Sequence, residues 1–322
     1  MTIRAWKPGD KNLHEVPANG PLPLSSAMWI DVESVTAEEE RRLESALGLE
    51  IPTREEQRAL ELSNRLYREG DALFLASTML VHTDTDQPEI STLTCILARE
   101  RLITVRYAQP RAIAMCCDRL AKQPGGHAPE FVFATLMESA IERLGEIMQR
   151  LITRTETLSG QIFHGSSDKR RTASLKVALT EIGRIGHILA LVRQSLVEKG
   201  MMLSFVEKSG KDLVSQDGIE ELRLLNADTR SLTDQADFMG DKIIFLLDAA
   251  VGYISIEQNR IMTIFSLMAV IFMPPTLVAG IYGMNFEHMP ELRWLAGYPF
   301  ALLVMVLLVV VILWFFRRRH WL

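Results

Sequence analysis

Two long segments without a charged residue stand out near the C-terminal end of the chain. They cover residues 262–281 and 298–316, whereas charged residues are frequent in the preceding part. At a rise of 1.5 Å per residue, helices of this length measure about 30 Å, the thickness of the hydrocarbon core of a bilayer. The pattern therefore predicts two membrane helices joined by a short link, with both ends of the chain on one side of the membrane.

The two predicted membrane helices differ in composition. The second is rich in Leu and Val, which is typical of a helix that faces lipid. The first carries small or polar residues, among them Ser266, Thr276 and Gly280, which suit a helix that packs against other helices or lines water. Because two helices cannot enclose an ion path, a pore along the first helix would require several copies of the chain around one axis.

Basic residues indicate the orientation of this hairpin. Arg317, Arg318 and Arg319 follow the second segment and Arg260 precedes the first, whereas the link contains one arginine, Arg293, and no lysine. The positive-inside rule then predicts cytoplasmic N- and C-termini. The three C-terminal arginines either form a basic collar around a pore mouth or only anchor the second helix. Arg260 would repel cations, so we expect it to point outward to lipid headgroups.

The first 128 residues alternate short apolar runs with turn residues and capped helix starts. Helices are expected to begin near Thr36 and Pro52, and no Gly-rich phosphate loop is present. This pattern is typical of a small α/β domain. The predicted strands are 27–32, 64–69, 72–81, 91–98 and 102–107.

Residues 131–273 contain no proline, and good helix formers dominate them. Breaks are expected near 160–168 and 208–217, and the last helix is expected to run from Asp217 into the first membrane helix. Its apolar residues recur at steps of three and four, which marks a single stripe. Two shorter helices, broken at Gly240 or Gly252, are the alternative. The stripe consists of Ile219, Leu222, Leu225, Leu232, Ala236, Met239, Ile243, Leu246, Ala250 and Ile254.

The predicted fold class is thus an α+β membrane protein in which a long helical stalk continues into the first of two transmembrane helices. The segments are a cytoplasmic α/β domain at 1–128, cytoplasmic helices at 129–216, the stalk at 217–260, the first membrane helix at 261–282, a periplasmic link at 283–297, the second membrane helix at 298–316 and a basic tail at 317–322.

Charge and cysteine content exclude some partners and sites. The net charge is −5, and the chain without its three C-terminal arginines is more acidic still, which argues against nucleic acid as a partner. Cys95, Cys116 and Cys117 have neither the number nor the spacing of a disulfide framework or a zinc site. We expect them to be unreactive thiols in a reducing compartment.

A specific motif follows the first membrane helix. Tyr282-Gly283-Met284-Asn285 stands at its outer end, and Met289-Pro290-Glu291-Leu292 follows in the link. This combination resembles the signature of the CorA family of magnesium and cobalt transporters. The resemblance implies a funnel-shaped homopentamer in the inner membrane, in which the first helix lines a channel for hydrated Mg²⁺. Mg²⁺ would be both cargo and regulator, and the partners would be further copies of the chain and membrane lipids, without nucleotide or enzymatic activity.

The physical chemistry of magnesium agrees with a filter built from Gly283, Met284 and Asn285. Mg²⁺ gives up its water shell reluctantly, so a fast channel should bind those waters rather than remove them. Symmetric copies of Asn285 would offer carbonyl oxygens to the waters. Gly283 would let the chain turn sharply after the helix. By itself, Asn285 could also be only a polar helix cap.

One face of the first membrane helix is predicted to line the pore. Thr276 would supply a hydroxyl to hydrated ions, and Met262 and Met273 suit an apolar gate, although helix packing would explain both methionines as well. Phe265 is a rival of Ser266 for the inward position. The predicted face consists of Asn259, Met262, Ser266, Ala269, Met273, Thr276 and Gly280.

Carboxylates suggest attraction and regulation of cations. Glu287 and Glu291 in the link would form an outer acidic ring around an axis. By resemblance to the family, Asp248 in the stalk and, in a looser alignment, Glu55 and Glu56 are candidates for regulatory metal sites. Solvated surface charges are the alternative for all five residues.

Two other functions share much of this pattern. Zinc transporters of the same superfamily have the same layout, and His288 lacks a partner at zinc-ligand spacing. A membrane-anchored sensor that conducts no ions would not need Asn285. The choice among magnesium, cobalt, nickel and zinc is a difference of affinities that composition does not decide.

Overall fold

The computed structural model describes residues 2–8, 13–16, 24–34, 37–49, 51–52, 65–83, 85, 88–122, 128–164, 171–284, 289–290 and 294–319. They form two compact units. The first comprises Met1–Ser167 and Lys176–Leu247, and the second comprises Asp168–Leu175 and Asp248–Leu322.

The described strands are β1 (Thr2–Pro8), β2 (Leu13–Glu15), β3 (Trp29–Glu33), β4 (Leu66–Glu69), β5 (Ala72–Val81), β6 (Glu89–Ala98) and β7 (Arg101–Arg106). The described α-helices are α1 (Ala37–Leu47), α2 (Arg111–Lys122), α3 (Pro129–His164), α4 (Arg171–Ser209), α5 (Gln216–Tyr282) and α6 (Gly297–Arg318).

All seven described strands belong to one mixed sheet in the order β2-β1-β3-β7-β6-β5-β4. β3 and β7 run parallel, with Trp29 opposite Leu102 and Glu33 opposite Arg106, and the other neighbours are antiparallel. The five predicted strands are confirmed with small shifts at their ends. β1, β2 and α2 were not predicted, because β1 and β2 are polar or short and α2 spans only about three turns.

The sheet separates two apolar layers. On one side, Trp29 stacks on Trp6 with ring centroids 4.1 Å apart, and both belong to a core that includes residues of α2, α3, α4 and α5. On the other side, Leu43 of α1 joins Phe74 and Ile96. β5 is buried over its whole length, since it contributes side chains to both layers.

The long helices confirm the predicted apolar stripe. The breaks between α3 and α4 and between α4 and α5 fall where they were expected, and α5 continues through Gly240 and Gly252, so the interrupted alternative is wrong. Within the first unit, stripe residues such as Leu222, Ala236 and Leu246 are buried. Residues 53–64, where the predicted start at Pro52 would lead, lie outside the described part of the chain.

The three cysteines are free, and Cys95 and Cys116 are buried. Burial raises the pKa of Cys95 to about 12, that of half-buried Cys117 to about 11, and that of Cys116 well above its usual value. Because the thiolate is the reactive form, all three thiols are poor nucleophiles near neutral pH, as expected.

A buried polar cluster joins α4 to β5. Glu198 accepts hydrogen bonds from the backbone N–H of Thr78 at 2.7 Å, from Arg65 at 3.1 Å and from Gln194 at 3.1 Å. The next residue, Lys199, is fully buried and donates to the carbonyl oxygen of Thr78 at 2.7 Å and to Ser195 Oγ at 2.9 Å. Glu198 and Lys199 carry opposite charges, and both bind the backbone of β5 at Thr78.

The two charges of this cluster are expected to affect stability in opposite ways. Glu198→Gln removes the charge and replaces one of the two acceptor oxygens with an NH2 donor, so that either the buried N–H of Thr78 or the guanidinium of Arg65 loses its bond to residue 198, which should cost about 3–5 kcal/mol. Lys199→Met removes a charge that burial disfavours, and the carbonyl oxygen of Thr78 still accepts a bond from Ser195 Oγ. Thermal unfolding of the solubilised protein at pH 7 should therefore show a lower midpoint for Glu198→Gln and a higher one for Lys199→Met.

The pH dependence gives a further test of this contrast. Burial lowers the pKa of Lys199 from 10.5 to about 8, so between these values the unfolded chain binds the proton more tightly than the folded chain. This group therefore adds stability as the pH rises from about 8 to 10.5. The advantage of Lys199→Met over the wild type should shrink over that range. An advantage that stays constant to pH 10.5, or a large loss of stability at pH 7, would show that the ammonium is not disfavoured.

Candidate functional site

Two of the described helices, α5 and α6, are long and apolar enough to cross a membrane. The uncharged part of α5 remains helical through Pro274 and Pro275, although each proline removes one hydrogen bond of the helix. Both uncharged segments fall within the second unit. The candidate site is therefore described from the side chains of α5 and the turn that ends it.

One side of the uncharged part of α5 is partly covered by its own chain. Successive residues of an α-helix are rotated by about 100°. With the exception of Ile254, the half-buried residues of α5 between positions 253 and 282 project within about 60° of the direction of Ile271. They are Tyr253, Ile254, Glu257, Leu267, Ile271, Pro274, Pro275, Val278 and Tyr282.

The predicted pore face lies on the opposite side of the same helix. Its seven residues project within about 60° of the direction opposite Ile271, and all seven are exposed in the single chain. Met262 is 64% exposed and Met273 is 69% exposed. This face, from Asn259 to Gly280, is called the open face below. Phe265 and Ser266 both project from this half of the helix, on either side of its centre. Helix geometry therefore allows either of them to face a pore.

The hydroxyl of Thr276 is engaged as a donor and remains available as an acceptor. Its Oγ1 donates to the carbonyl oxygen of Phe272 at 2.7 Å, which fixes the proton along the helix and leaves lone pairs on the oxygen. A hydrated cation presents water protons rather than lone pairs. The orientation of Thr276 is therefore suited to accept hydrogen bonds from such a hydration shell.

The turn after α5 explains why a glycine stands at position 283. Its N–H donates to the carbonyl oxygen of Ala279 at 2.9 Å, and a Cβ at Gly283 would lie 3.1 Å from that oxygen. Gly283 is not among the described residues with a positive φ, so this close approach to the backbone, and not a left-handed conformation, is what favours a glycine here. Around Gly280 a Cβ would meet open space.

Several predicted site residues lie outside the described part of the chain. These are Asn285, Glu287 and Glu291 at the outer end, His288 beside them, and Glu55 and Glu56 in the first unit. Met284, the last described residue before this gap, is 46% exposed, and its N–H donates to the carbonyl oxygen of Ile281 at 3.2 Å.

The stalk part of α5 carries exposed carboxylates and exposed aromatic rings. In the first unit, Asp234 and Asp241 are seven residues apart and both exposed, and Phe238 and Phe245 are 69% and 60% exposed. Seven residues are nearly two helical turns, so these four side chains share one side of the helix, away from its buried stripe. The buried stripe was predicted, whereas these apolar rings were not, although their heptad spacing was visible in the sequence.

Two further carboxylates of the stalk, Asp237 and Asp248, have different surroundings. Asp237 pairs with Arg193 of α4, so its charge is compensated within the chain. Asp248, in the second unit, is exposed. Among the described residues, no group of three or more His, Cys, Asp or Glu side chains could hold a metal ion. Asp248 alone therefore offers one carboxylate and not a coordination shell.

The basic residues at the ends of the uncharged segments lie against neighbouring side chains. Arg318 stacks over Trp314 at 5.2 Å and Arg319 over Phe315 at 5.9 Å. Arg260 Nη1 lies 3.9 Å from Glu257 Oε2, and Arg260 projects close to the direction of Ile271, opposite the open face. That Arg260 points outward to lipid headgroups stays a prediction.

Comparisons with known proteins identify the relatives of this chain. The family described as CorA-like Mg²⁺ transporter protein matches residues 25–318. The magnesium transport protein CorA of Escherichia coli K12 is 34% identical over 302 residues, which cover 93% of each chain. CorA of Haemophilus ducreyi is 33% identical over 322 residues, covering 99% of this chain and all of that relative.

A solved structure supports the same fold. The complete structure of the CorA magnesium transporter from Methanocaldococcus jannaschii aligns with a TM-score of 0.79 and 18% identity, covering 100% of this chain and 99% of that one. The alignment includes the mixed sheet, the long helix that contains the first uncharged segment, and the second apolar helix. On the match over nearly its whole length and the identity to curated relatives, the chain belongs to the CorA family of Mg²⁺ transporters.

Proposed function

We propose that this protein is a channel through which hydrated Mg²⁺ enters the cytoplasm down its electrochemical gradient, with Co²⁺ and Ni²⁺ as further candidate cargo. The observation that carries the proposal is the open face of α5. This face combines small, polar and flexible apolar residues, lies opposite the side that the chain covers itself, and leads directly to Gly283, Met284 and Asn285. A membrane helix with such a face needs partners or water on that side.

The partners are further copies of the same chain. A homopentamer follows from the family resemblance, and symmetric copies of α5 would bring their open faces to one axis. The assembly would lie in the inner membrane with both ends of each chain in the cytoplasm, because Arg260 and the basic residues 317–319 flank the two spans on that side. Arg317, Arg318 and Arg319 would form a basic collar there, in contact with lipid headgroups.

The filter would select hydrated cations through neutral oxygen atoms. Copies of Asn285 would bind the water shell of Mg²⁺ through their amide oxygens, and carbonyl groups near Gly283 and Met284 at the end of α5 would add acceptors. Farther along, Thr276 would continue this row of acceptors, and Met273 and Met262 would close the path by excluding water. Glu287 and Glu291 would concentrate cations at the outer mouth.

The membrane potential would supply the driving force. A potential of 100 mV is worth about 2.3 kcal/mol per elementary charge, and therefore about 4.6 kcal/mol for a dication. No Gly-rich nucleotide motif is present in the sequence, and the proposed transport requires no nucleotide.

Cytosolic Mg²⁺ would regulate the channel through the stalk. Exposed carboxylates such as Asp248 and Asp241 would repel one another where copies meet, and a bound dication would relieve that repulsion. Loss of the cation would then favour an open arrangement. Glu55 and Glu56 are further candidates for such binding in the α/β domain.

Replacement of Asn285 tests the filter. In liposomes that contain a fluorescent Mg²⁺ reporter, an inward Mg²⁺ gradient should produce rapid uptake through the wild type and little or no uptake through Asn285→Ala, because the acceptors for the water shell are removed. Val278→Ala, on the covered side of α5, is the matched control and should keep most of the uptake. Both variants must elute as the same oligomer as the wild type.

The same assay separates the rival functions. Undiminished uptake by Asn285→Ala would refute the filter. Uptake of Zn²⁺ but not Mg²⁺ by the wild type would favour a zinc transporter, and no uptake of either ion by a correctly assembled protein would favour a sensor that does not conduct.

Replacement of Asp248 tests regulation by internal Mg²⁺. Uptake is measured at increasing Mg²⁺ concentrations inside the liposomes. Asp248→Asn should require several-fold more internal Mg²⁺ for the same inhibition, because the repulsion that the dication relieves is reduced. Asp237→Asn removes an equal charge from the same helix, but that charge is already compensated by Arg193, so its inhibition curve should stay near that of the wild type. Identical curves for all three proteins would exclude Asp248 from regulation.

A further inference from the structure

A cavity of about 350 Å³ lies at one end of the sheet, at the carboxyl ends of β3 and β7. It belongs to the first unit. Three of its wall residues are arginines. Another wall residue, Glu33, is the last residue of β3. The wall consists of Arg4, Glu33, Arg106, Gln109, Pro110, Arg111, Ile113 and Ala114.

The position of this cavity is the one where open α/β sheets bind ligands. β3 and β7 are neighbouring parallel strands. The helix that follows β3, α1, packs on one side of the sheet through Leu43, and the helix that follows β7, α2, packs on the other side through Ile113 and Cys116. Where two such connections diverge, a crevice forms outside the carboxyl ends of the strands.

A buried carboxylate holds two of the three arginines in place. Asp31 is fully buried and accepts bonds from Arg106 Nη2 at 3.0 Å, from Arg4 Nη2 at 2.8 Å and from Thr104 Oγ1 at 2.8 Å. Thr104 in turn accepts a bond from the indole N–H of Trp29 at 3.1 Å. Two guanidinium groups that would repel each other are thereby fixed side by side at the cavity.

Basic residues outnumber acidic residues in the wall. Arg111, at the start of α2, is exposed and adds a third guanidinium, whereas Glu33 is the one acidic residue of the wall. Glu15 lies near Arg4 but is not part of the wall. Arg111, Ile113 and Ala114 in the first turns of the 12-residue helix α2 belong to the wall, and the N-terminal end of a helix favours negative charge to a smaller extent.

The polar groups suit a phosphate attached to a hydroxyl-bearing molecule. Guanidinium groups match the oxygens of a phosphate in geometry and charge. Glu33 accepts bonds from Gln109 Nε2 at 2.8 Å and from Arg106 Nη2 at 3.0 Å, and its carboxylate retains lone pairs that can accept a hydroxyl. A volume near 350 Å³ is at the lower end of the range for small-molecule pockets.

We propose that this cavity binds the phosphate group of a small phosphorylated metabolite, of the sugar phosphate or mononucleotide class, with Arg4 and Arg111 as its principal ligands and Arg106 as the residue that positions Arg4 through Asp31. The site is independent of ion conduction. It would let the cytoplasmic part of the protein respond to a metabolite as well as to Mg²⁺.

Calorimetry on the purified full-length protein, freed of divalent cations, tests this proposal. The probes are adenosine 5′-monophosphate, ribose 5-phosphate, inorganic phosphate and adenosine. The phosphorylated molecules should bind and adenosine should not. Arg111→Gln and Arg4→Gln should each weaken binding about tenfold, as expected for loss of one charge-assisted contact. Arg99→Gln removes an arginine from the turn before β7, at the other end of that strand, and should bind like the wild type.

The outcomes distinguish the source of the phosphate. Tighter binding of either phosphorylated molecule than of inorganic phosphate supports a metabolite as the ligand. Binding of inorganic phosphate alone would show that the ligand is the free anion and not a metabolite. Arg111→Gln changes an exposed side chain, so its result holds even if Arg4→Gln fails to fold. The probes are tested up to about 10 mM, tenfold above typical metabolite levels. The proposal would be overturned if no probe binds at that concentration, or if both variants bind the probes as tightly as the wild type does.

Discussion

A helix within a bilayer satisfies its backbone hydrogen bonds internally, so its side chains decide what surrounds it. In α5 the two sides have different surroundings. The side around Ile271 is partly covered by the chain itself, and the opposite side, from Asn259 to Gly280, is open. The hydroxyl groups and the glycine on the open side would gain little from contact with lipid. The need to cover this side explains why the protein would assemble around an axis, and an axis lined by such residues explains how it would pass an ion.

The stalk part of α5 repeats this division with different chemistry. Its apolar stripe is buried in the first unit, while carboxylates and the rings of Phe238 and Phe245 remain exposed on the other side. A surface that combines apolar rings with repelling charges associates well only when the charges are neutralised. In this account the same helix provides both the path of the ion and the contacts that respond to it. The sheet and its buried Glu198–Lys199 cluster hold the helices that support this stalk.

Features set by local pattern could be predicted from the sequence. The membrane segments, the buried stripe and the strands from β3 to β7 depend on periodic hydrophobicity. Which residues of α5 share one side could also be predicted, because helical phase is a local property, whereas the role of that side as a pore lining stays a prediction. The contact of Gly283 with the carbonyl oxygen of Ala279 was not predicted, because it depends on the exact end of the helix. Burial of Lys199 and the bonds between Asp31 and Arg106, which are 75 residues apart, were not predictable, because they depend on long-range packing that overrides the usual exposure of charged residues.

The accessibility of α5 to water decides whether its open face lines an ion path. Single cysteines would replace Met273 and Thr276 on the open face, and Ile271 and Val278 on the covered side, in reconstituted protein. They would be treated with a membrane-impermeant thiol reagent, with the wild type as background for its three poorly reactive cysteines. If the open face lines a path filled with water, Met273→Cys and Thr276→Cys react and Mg²⁺ slows the reaction, whereas Ile271→Cys and Val278→Cys do not react. Preferential reaction of the covered side, or no difference between the two sides, would contradict it.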